Sequence, residues 1–541
     1  MSEEAFIEAL PDEVLEYILS LIPPYKDLHH CMVVSKRWRR CVLNVVQTKQ
    51  RNLYKAINDF DIKWERSSPN LTSITKRYSH TAVVHEDSMF VFGGCTCAMT
   101  TFNDLWRLDL STRQWVRPLA KGTYPSPKAC SSLVRYKDSL VLFGGWAYPP
   151  SYPLYQSWHL FDELHVYDVP ENRWRCVVSA YAPPPTAGHS ASVVGDWMIV
   201  VGGLQKPAQA VHTERTNDVW KLHMRDWTWH KQPVEDGPKP SVRFGQTQVV
   251  IDEENLLILG GSGGPTLHYC DAWLLNMSGD VWRWKKVDIE GKNHEPKNIW
   301  SNPGCKIGDK VMVLNRIRNG DGGGRPIAYY PKTTWAEGGG AGGGGGGGAR
   351  RTCRIDLAQR RPDVDENVNG RRGTLRRRWA PQQPEEGGSS SSSGSGSSND
   401  GVKIKGLNSS GMNMAAFNGP DFSRQQESEK MREKRLARLL KVEENLTKGA
   451  YKREKKTHYL GMYLLDISNV LSEKPVVTWL PPNNLKNGPE ESMLYTLVEG
   501  NSELIMFGGI KNDTGSLEFS VGLSSQISNT LHFITAPSYV I

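Results

Sequence analysis

The stretch Phe90-Val-Phe-Gly-Gly94 is an apolar strand that ends in two glycines, and close copies of it recur along the chain. The other copies are Val141-Leu-Phe-Gly-Gly145, Ile199-Val-Val-Gly-Gly203, Leu257-Ile-Leu-Gly-Gly261 and Ile505-Met-Phe-Gly-Gly509. The first four glycine pairs lie 51, 58 and 58 residues apart. A repeat near this length that holds four short strands is typical of a β-propeller, in which each repeat forms one blade. The spacing therefore predicts a ring of four-stranded blades.

Composition and the lack of targeting signals indicate a reducing compartment. Apolar residues make up 38% of the chain, and no apolar run approaches the roughly 20 residues that a membrane-spanning helix requires. The chain opens with Met-Ser-Glu-Glu, which is not the basic and then apolar pattern of a signal peptide. Nine cysteines without a regular framework fit free thiols. We therefore expect a cytoplasmic or nuclear protein without membrane contact.

Signals for catalysis or for a cofactor are weak. Cys95-Thr-Cys97 is the closest cysteine pair, but no second pair or histidine follows at zinc-site spacing. No converging His, Tyr and Cys set suggests an oxidase, and the sequence has no nucleophile elbow or phosphate loop. We expect a protein that is not an enzyme and that needs no metal or cofactor.

The net charge of +8 comes from one segment. Between Gly320 and Lys456 there are 26 Lys and Arg against 16 Asp and Glu, so the rest of the chain is close to neutral. Runs of glycine, arginine and serine in this segment cannot bury a core. We expect residues 320–456 to be disordered, with a possible helix near 423–456. The segment is either a solvated spacer, a nuclear-import signal or a nonspecific anchor for nucleic acid or acidic partners.

The first 48 residues predict a small helical domain. Pro11 suits the first position of a helix, and Asp12 and Glu13 favour its N-terminal end. Apolar residues follow at a spacing of three to four until Pro23-Pro24 stops the helix. A second helix places Trp38 and several apolar residues inward.

This segment resembles an F-box through Leu10-Pro11-Asp12-Glu13 at its head and Ser35-Lys36-Arg37-Trp38-Arg39 at its tail. The resemblance implies docking on a Skp-type adaptor and, through it, on the cullin and RING protein of a ubiquitin ligase. A domain of about 45 residues buries little of its own apolar surface, so a partner should cover it; the alternative is a helical cap packed on its own propeller. The expected adaptor contacts are Leu10, Pro11, Val14, Leu15, Ile18, Leu19, Leu28, Val34 and Trp38.

The glycine-ended strands resemble kelch repeats, in which strands a to d run outward from the axis, the glycine pair ends strand b, and a Trp lies in strand d. Blades one to four fit this pattern. Their strand-d tryptophans are Trp115, Trp174, Trp227 or Trp229, and Trp282 or Trp284. We expect these rings and glycines to serve packing, and His80 and His189 to bond the backbone, rather than to form a site.

The last two blades depart from the pattern. Residues 310–314 look like strand b of blade five without its glycines, and residues 462–466 look like its strand c, so the charged insertion splits this blade. Blade six has no strand d of its own. Trp64 stands 13 residues before Arg77, as Trp115 stands 13 before Lys128. We therefore predict a six-bladed ring that residues 62–66 close by pairing into the last blade.

One face of the ring carries the b–c and d–a connections, with a long aromatic loop in blade two and cations at the starts of strand a. Aromatic and Arg side chains dominate binding hot spots. In the kelch receptors that this chain resembles, such a face binds an acidic or phosphorylated segment; otherwise these residues brace the loops. The expected substrate contacts are Arg77, Lys128, Trp146, Tyr148, Tyr152, Tyr155, Trp158, Arg215 and Arg243. Strand 62–66 begins on the opposite face, where we expect the helical domain.

Together these features resemble the F-box only protein 42 family. The predicted fold is mainly β, a six-bladed kelch β-propeller preceded by a small α-helical F-box domain, with a long disordered insertion in blade five. The predicted segments are an F-box at 1–48, a linker at 49–61, and a propeller at 62–319 and 457–541. The resemblance implies a non-catalytic substrate-recognition subunit of a Skp–cullin–F-box ubiquitin ligase, which presents a target for proteasomal degradation. The alternative is a kelch scaffold that organises complexes without ubiquitin transfer.

Overall fold

The structure is a computed structural model that describes residues 7, 10–67, 74–96, 100–148, 158–207, 212–264, 266–317, 458–482, 488–511 and 526–537. The chain divides into two compact units, residues 1–333 with 455–541 and residues 334–454. The second unit lies outside the described residues, as do the predictions for the insertion and for Tyr152 and Tyr155. Among the described helices, none is long and apolar enough to cross a membrane.

Three helices form the N-terminal domain: α1 (Asp12–Ser20), α2 (Lys26–His30) and α3 (Lys36–Asn58), with a 3-10 turn at Cys31–Val33. The Ser35 side chain accepts a hydrogen bond of 3.2 Å from the Trp38 amide, which caps α3. Apolar residues at helical spacing bury a small core between the helices. This core consists of Leu15, Leu19, Leu28, Cys41, Val42 and Val45.

Helix α3 is longer than the sequence analysis expects. The predicted linker at 49–61 is wrong, because α3 continues without a break to Asn58. Leu53, Ala56 and Ile57 repeat at a spacing of three to four on one face of this second half, and all three are buried. They pack into a core that they share with strands of the propeller. The helix therefore carries the helical domain directly into the ring.

The propeller strands follow in chain order after β1 (Lys63–Arg66). Blade one consists of β2 (Thr81–His85), β3 (Ser88–Phe92), β4 (Leu105–Asp109) and β5 (Gln114–Val116), and β6 (Lys121–Gly122) follows it. Blade two consists of β7 (Ser132–Tyr136), β8 (Ser139–Phe143), a loop pair β9 (Trp146–Ala147) and β10 (His159–Leu160), β11 (Leu164–Asp168) and β12 (Arg173–Val177). After β13 (Thr186–Ala187), blade three consists of β14 (Ser190–Val194), β15 (Trp197–Gln205), β16 (Glu214–His223) and β17 (Thr228–Lys231).

Blade four consists of β18 (Thr247–Val250), β19 (Asn255–Leu259), a loop pair β20 (Ser262–Gly264) and β21 (Leu267–His268), β22 (Ala272–Asn276) and β23 (Arg283–Glu290). Blade five consists of β24 (Gly304–Ile307), β25 (Lys310–Arg316), β26 (Leu460–Asp466) and β27 (Val476–Trp479). The remaining strands are β28 (Ser492–Met493), β29 (Thr496–Glu499), β30 (Leu504–Phe507), β31 (Ile510–Lys511) and β32 (Leu531–Thr535). Blades four and five form one eight-stranded sheet, because β23 pairs in parallel with β27.

Two predictions about the ring are confirmed by strand pairing. Strands β25 and β26 pair along their whole length, from Lys310 opposite Asp466 to Arg316 opposite Leu460, although the insertion separates them. Strand β1 pairs antiparallel with β32, with Trp64 opposite Ile534. The first propeller strand therefore completes the sheet of β29, β30 and β32.

The glycine pairs mark places where no side chain fits. Gly93 and Gly94 adopt φ angles of 65° and 89°, which belong to the left-handed region. A Cβ on Gly93 would lie 2.4 Å from the Lys128 carbonyl oxygen, and a Cβ on Gly94 would lie 2.8 Å from the Tyr78 carbonyl oxygen. The pair thus lets the end of strand b approach the backbone of neighbouring segments.

Candidate functional site

An exposed apolar surface covers the solvent side of α1. Leu15 and Leu19 lie in the helical core, whereas Val14 and Ile18 lie on the other side of the helix and are exposed. Leu21, directly after the helix, is 69% exposed. An α1 that is apolar on both sides cannot cover all of its apolar surface with its own domain.

A second exposed apolar surface lies at the 3-10 turn between α2 and α3, where Val33 and Val34 are 86% and 58% exposed. We name the two surfaces together the helical patch. It consists of Val14, Tyr17, Ile18, Leu21, Val33 and Val34. Tyr17, Leu21 and Val33 are not among the predicted adaptor contacts, since a spacing of three to four identifies apolar residues but not which of them face solvent.

The predicted adaptor residues divide by burial. Pro11, Val14, Ile18 and Val34 are exposed, Leu10 and Trp38 are half-buried, and Leu15, Leu19 and Leu28 are buried. The buried leucines form the core of the domain and offer no surface to a partner. The prediction that these three leucines contact the adaptor directly is therefore wrong. The helical spacing that identified them is shared by the residues of the core and those of the patch.

The head and tail of the F-box-like motif are bonded to each other. Arg37 Nε donates a hydrogen bond of 2.6 Å to Asp12 Oδ1, and Arg40 donates to Asp12 Oδ2. Hydrogen bonds from Arg37 and Arg40 hold the pKa of the Asp12 carboxyl below its ordinary value. Arg37 also donates to the Leu10 carbonyl oxygen. These bonds fix the start of α1 against α3 and so hold the helical patch in shape.

The helical domain meets the propeller at a buried polar cluster. Arg113 donates two hydrogen bonds, of 2.7 and 2.6 Å, to the carboxylate of Glu503, which is 3% exposed. The Tyr25 hydroxyl donates to the same carboxylate, and burial raises the pKa of that phenol. Asn501 donates a bond of 3.0 Å to the Pro24 carbonyl oxygen. We name Tyr25, Arg113 and Glu503 the junction cluster.

The junction cluster identifies the face on which the helical domain sits. Glu503 lies in the turn between β29 and β30, and Arg113 lies in the turn between β4 and β5. In antiparallel blades these a–b and c–d turns lie at the strand ends opposite to the b–c loops. The helical domain therefore occupies the face expected for it, away from the predicted substrate loops.

Arg77, expected at the substrate rim, is fully buried. Its guanidinium donates bonds of 2.8 and 3.0 Å to Asp104 and of 2.8 Å to the Gly93 carbonyl oxygen. It also lies 4.5 Å from the ring centroid of Phe102. Burial raises the pKa of the Asp104 carboxyl, but the bonds and charge of Arg77 outweigh burial and lower it overall.

Arg243 repeats this arrangement in blade four. It donates bonds of 2.6 and 2.9 Å to Asp271 and of 2.8 Å to the Gly260 carbonyl oxygen, and it lies 4.4 Å from the ring centroid of Tyr269. Both guanidiniums thus bind the carbonyl of the first glycine in a pair. The repeated arrangement stabilises the turn at which strand b ends.

Lys128 completes the set with a bond of 2.7 Å to Glu163 and a position 4.5 Å from the ring centroid of Phe161. The expectation that Arg77, Lys128 and Arg243 bind substrate through free charge is wrong, because all three are buried and paired with carboxylates. The partners lie 27, 35 and 28 residues downstream. The sequence signal is an aromatic residue two positions before each acid, which the sequence analysis overlooked.

The aromatic residues of the blade-two loop form a compact group. Trp146 and Trp158 stack with ring centroids 4.2 Å apart, and the Tyr148 ring lies edge-on to both, at 4.8 and 5.5 Å. The Tyr78 hydroxyl lies 3.4 Å from the Tyr148 hydroxyl. Trp146 is buried, whereas Tyr148 and Trp158 are partly exposed. We name Tyr78, Trp146, Tyr148 and Trp158 the aromatic cluster.

Arg215 is the exposed cation among the predicted rim residues. It lies in β16, and its guanidinium donates to the Gly263 carbonyl oxygen in the β20–β21 loop of the next blade. Its charge is not paired with a carboxylate in the described part of the chain. Arg215 therefore contributes positive charge to this face while it joins the loops of blades three and four.

The buried histidines at the inner strands join neighbouring blades. His189 Nε2 lies 2.8 Å from Ser132 Oγ, and His80 Nε2 lies 2.9 Å from Thr496 Oγ1. The expected backbone bond is wrong for His189, whose partner is a hydroxyl of the adjacent blade, whereas His80 contacts the Phe507 backbone in addition to such a hydroxyl. Burial lowers the pKa of each imidazole to about 3. Both side chains are thus neutral structural groups.

Two family profiles match the chain. The profile described as F-box-like matches residues 7–47, and the profile described as FBX42, beta-propeller domain matches residues 77–297. The first match covers α1, α2, the 3-10 turn and the first half of α3, and so includes the whole helical patch. The second covers blades one to four with their buried cation–carboxylate pairs and the aromatic cluster.

Curated relatives match part of the chain. The chain is 32% identical to the dynein alpha chain, flagellar outer arm, of Chlamydomonas reinhardtii, over 37% of this chain and 4% of the relative. It is 28% identical to the leucine-zipper-like transcriptional regulator 1 homolog of Drosophila melanogaster, over 52% and 29%, and 26% identical to kelch domain-containing protein 1 of Mus musculus, over 36% and 51%. The chain thus spans about half or less of the length of these relatives. The two profiles and the kelch relatives together support an F-box and kelch-propeller protein of the FBX42 type.

Proposed function

We propose that this chain is the substrate-recognition subunit of a Skp–cullin–F-box ubiquitin ligase. The helical patch binds the Skp-type adaptor, and the propeller binds a target protein for ubiquitination and degradation. The chain itself performs no chemistry; it raises the effective concentration of target lysines near the conjugating enzyme. Because adaptor and conjugating machinery are intracellular, we place the protein in the cytoplasm or nucleus.

The observation that carries the proposal is the exposure of the helical patch. Six large apolar side chains, four on or directly after α1 and two at the 3-10 turn, face solvent on one small helical domain. Exposed apolar surface of this extent marks a site of protein contact. The domain is held in shape by Asp12 and Arg37, so the patch is ready for a partner rather than a consequence of loose packing.

We infer that the ring has six blades. Four four-stranded groups follow from β2 to β23, the split group from β24 to β27 makes a fifth, and β29, β30, β32 and β1 supply the sixth. Closure by β1 leaves the sixth group with four strands, which supports this count. A closed ring has no free sheet edge at this seam to which other chains could pair.

The target contacts, in this proposal, are aromatic rather than cationic. The buried cations Arg77, Lys128 and Arg243 are each paired with a carboxylate of the propeller. Their charges are therefore not offered to a target, and the main reason to expect an acidic or phosphorylated target is lost. Tyr148 and Trp158 remain partly exposed on the same face and belong to the residue types that dominate interface hot spots. We therefore propose an apolar or aromatic segment of the target as the group that this face binds.

A paired pull-down tests the adaptor half of the proposal. One bait is the intact chain, and the other carries Ile18→Asp and Val34→Asp, which place charges on exposed positions of the helical patch without disturbing the core. We expect the intact bait to recover the Skp-type adaptor and the cullin, and the variant to lose both. The matched control carries Leu119→Asp and Val178→Asp, two propeller residues that are 83% and 90% exposed, and should recover both.

The outcomes separate the two candidate functions. If the intact bait does not recover the adaptor, the ligase function is wrong and the kelch scaffold takes its place. If the control loses the adaptor as readily as the patch variant, the patch is not the binding surface. Proteins that the patch variant retains while it loses the adaptor are candidate targets bound by the propeller.

The same comparison tests the aromatic face. A bait with Tyr148→Ala and Trp158→Ala should keep the adaptor and lose the candidate targets, because it removes exposed rings but no part of the helical domain. A bait with Arg215→Ala serves as the cationic counterpart. If Arg215→Ala abolishes target recovery and the aromatic variant does not, the target contact is charged after all.

A further inference from the structure

Two turns on the face that carries the helical domain bring a histidine and two carboxylates together. His85 ends β2 and Glu86 follows it, whereas Asp138 lies in the turn between β7 and β8 of the next blade. One ligand atom from each residue lies within 4.8 Å of the others. We propose that His85, Glu86 and Asp138 form a binding site for a divalent transition-metal ion, with zinc as the preferred ion. This site is independent of the proposed ligase function.

The His85 imidazole is the observation that points to a ligand. The residue is 6% exposed, and its Nδ1 is buried without a hydrogen-bond partner. Its Nε2 faces Asp138 Oδ1 at 3.9 Å, which is too long for a hydrogen bond. Buried polar atoms nearly always have a partner, and a bound ion is one way in which an imidazole nitrogen is satisfied. His80 and His189 also have a buried Nδ1 without a partner, but their Nε2 atoms are bonded to hydroxyls, whereas the Nε2 that His85 turns toward Asp138 has no hydrogen bond in the described part of the chain.

The two carboxylates are free to complete the site. Glu86 and Asp138 are exposed, and in the described part of the chain neither forms an ion pair with Lys or Arg. The neighbouring Lys137 lies 4.8 Å from the Tyr136 ring centroid. The adjacent Asp87 lies 3.9 Å from His29 Nδ1 instead. Small rotations of two exposed side chains are enough to bring their oxygens toward a shared ion beside His85.

The set of donors selects the class of ion. Zinc accepts imidazole nitrogen and carboxylate oxygen at about 2.0–2.2 Å, and three protein ligands leave a fourth position for water or a partner's side chain. Magnesium and calcium prefer sites made of oxygen alone, so the imidazole disfavours them. An ion bound here would join the inner hairpins of blades one and two. No local sequence pattern reveals the site, because Asp138 comes from a different repeat than His85 and Glu86.

The test measures zinc bound per chain after equilibration with zinc chloride and removal of free ion. Nine cysteines and fourteen histidines provide other sites in the full chain, so the comparison between variants decides, not the total. We expect His85→Ala and Asp138→Asn each to bind one zinc fewer than the intact protein. Asp87→Asn, which removes a carboxylate from the same turn outside the site, should bind as many as the intact protein.

Thermal unfolding provides the second measurement. Asp138 is exposed and asparagine has nearly the same shape, so without metal the Tm of Asp138→Asn should match that of the intact protein. This variant decides the question if His85→Ala fails to fold. Zinc should raise the Tm of the intact protein and of Asp87→Asn, and raise it less for Asp138→Asn. Equal zinc counts in the intact protein and in Asp138→Asn would overturn the proposal. So would a response to magnesium or calcium that equals the response to zinc.

Discussion

Arg113 and Glu503, which are 390 residues apart in sequence, form a bidentate ion pair with N···O distances of 2.7 and 2.6 Å. The pair connects a turn of blade one with the β29–β30 turn beside the ring closure. Tyr25 of the helical domain donates to the same carboxylate. The helical domain is thus fixed to the propeller at the seam where the ring closes.

The Glu503→Gln substitution should destabilise the protein by about 3 kcal/mol. It keeps the shape of the side chain but leaves the guanidinium of Arg113 without its carboxylate in a largely buried place. Urea unfolding of the full chain measures the change in the free energy of unfolding. Glu253→Gln, on an exposed turn of blade four, is the matched control and should cause little change. A Glu503→Gln protein as stable as the control would show that the junction cluster contributes nothing.

The Arg243→Met substitution should cost about 3–5 kcal/mol of unfolding free energy, because it leaves Asp271 without its partner and the Gly260 carbonyl without its donor. Methionine retains most of the apolar volume, so the cost comes from the lost charge. The control is Arg283→Met, whose exposed pair with Glu235 should matter little. If both variants unfold at the same urea concentration, the buried pairs do not stabilise the blades.

Stability should fall as the pH falls from about 6.5 toward 3. His80 and His189 have a pKa of about 3 in the folded protein, whereas an unfolded histidine titrates near 6.5. The unfolded state therefore binds these protons first, and the contribution is complete above about pH 6.5 and lost below it. Gln246 of blade four donates to Ser190 Oγ of blade three in the way that His189 bonds Ser132 of blade two, so glutamine is a suitable replacement.

In His189→Gln the slope of unfolding free energy against pH should shrink by about 1.4 kcal/mol per pH unit over this range. Urea unfolding at several pH values between 4 and 7 measures the slope. A slope identical to that of the unsubstituted protein would contradict the assignment of His189 as a buried neutral group.

The Gly94→Ala substitution should destabilise the protein by about 1–3 kcal/mol. Its φ of 89° is unfavourable for alanine, and the new Cβ would lie 2.8 Å from the Tyr78 carbonyl oxygen. The matched control is Gly237→Ala, where a Cβ would meet no atom within 4 Å. Thermal unfolding of both variants compares the two sites; a lower Tm for the control than for Gly94→Ala would overturn this explanation of the glycine pairs.

The sequence predicted what local spacing encodes. The repeated glycine pairs gave the blades, and the position of Trp64 relative to Arg77 predicted the closing strand that pairs with β32. The helical spacing of the first 48 residues identified the domain that carries the patch. These features succeed because each depends on residues close together in sequence or on one fixed repeat.

Contacts between residues that are distant in sequence were not predicted. In the sequence Arg77 has the features of an exposed cation. Its ion pair with Asp104, 27 residues downstream, cannot be predicted from the residues around it. The end of α3 looks like a linker in the sequence, because the core that Leu53 and Ile57 join is completed at the other end of the chain, by strands such as β26 and β30. Burial of these residues is a property of the closed ring, which no local pattern reveals.

Closure by β1 also sets an order of events during synthesis. Strand β1 is made early, but its partner β32 appears roughly 460 residues later. At about 5–20 residues per second the ribosome needs roughly 25–90 s for that distance. During this time the buried face of α3 cannot pack against strands that have not been synthesised. All residues of the small core around Leu15 and Leu28 have already been made, so that core can form. The helical patch can therefore form before the ring is complete.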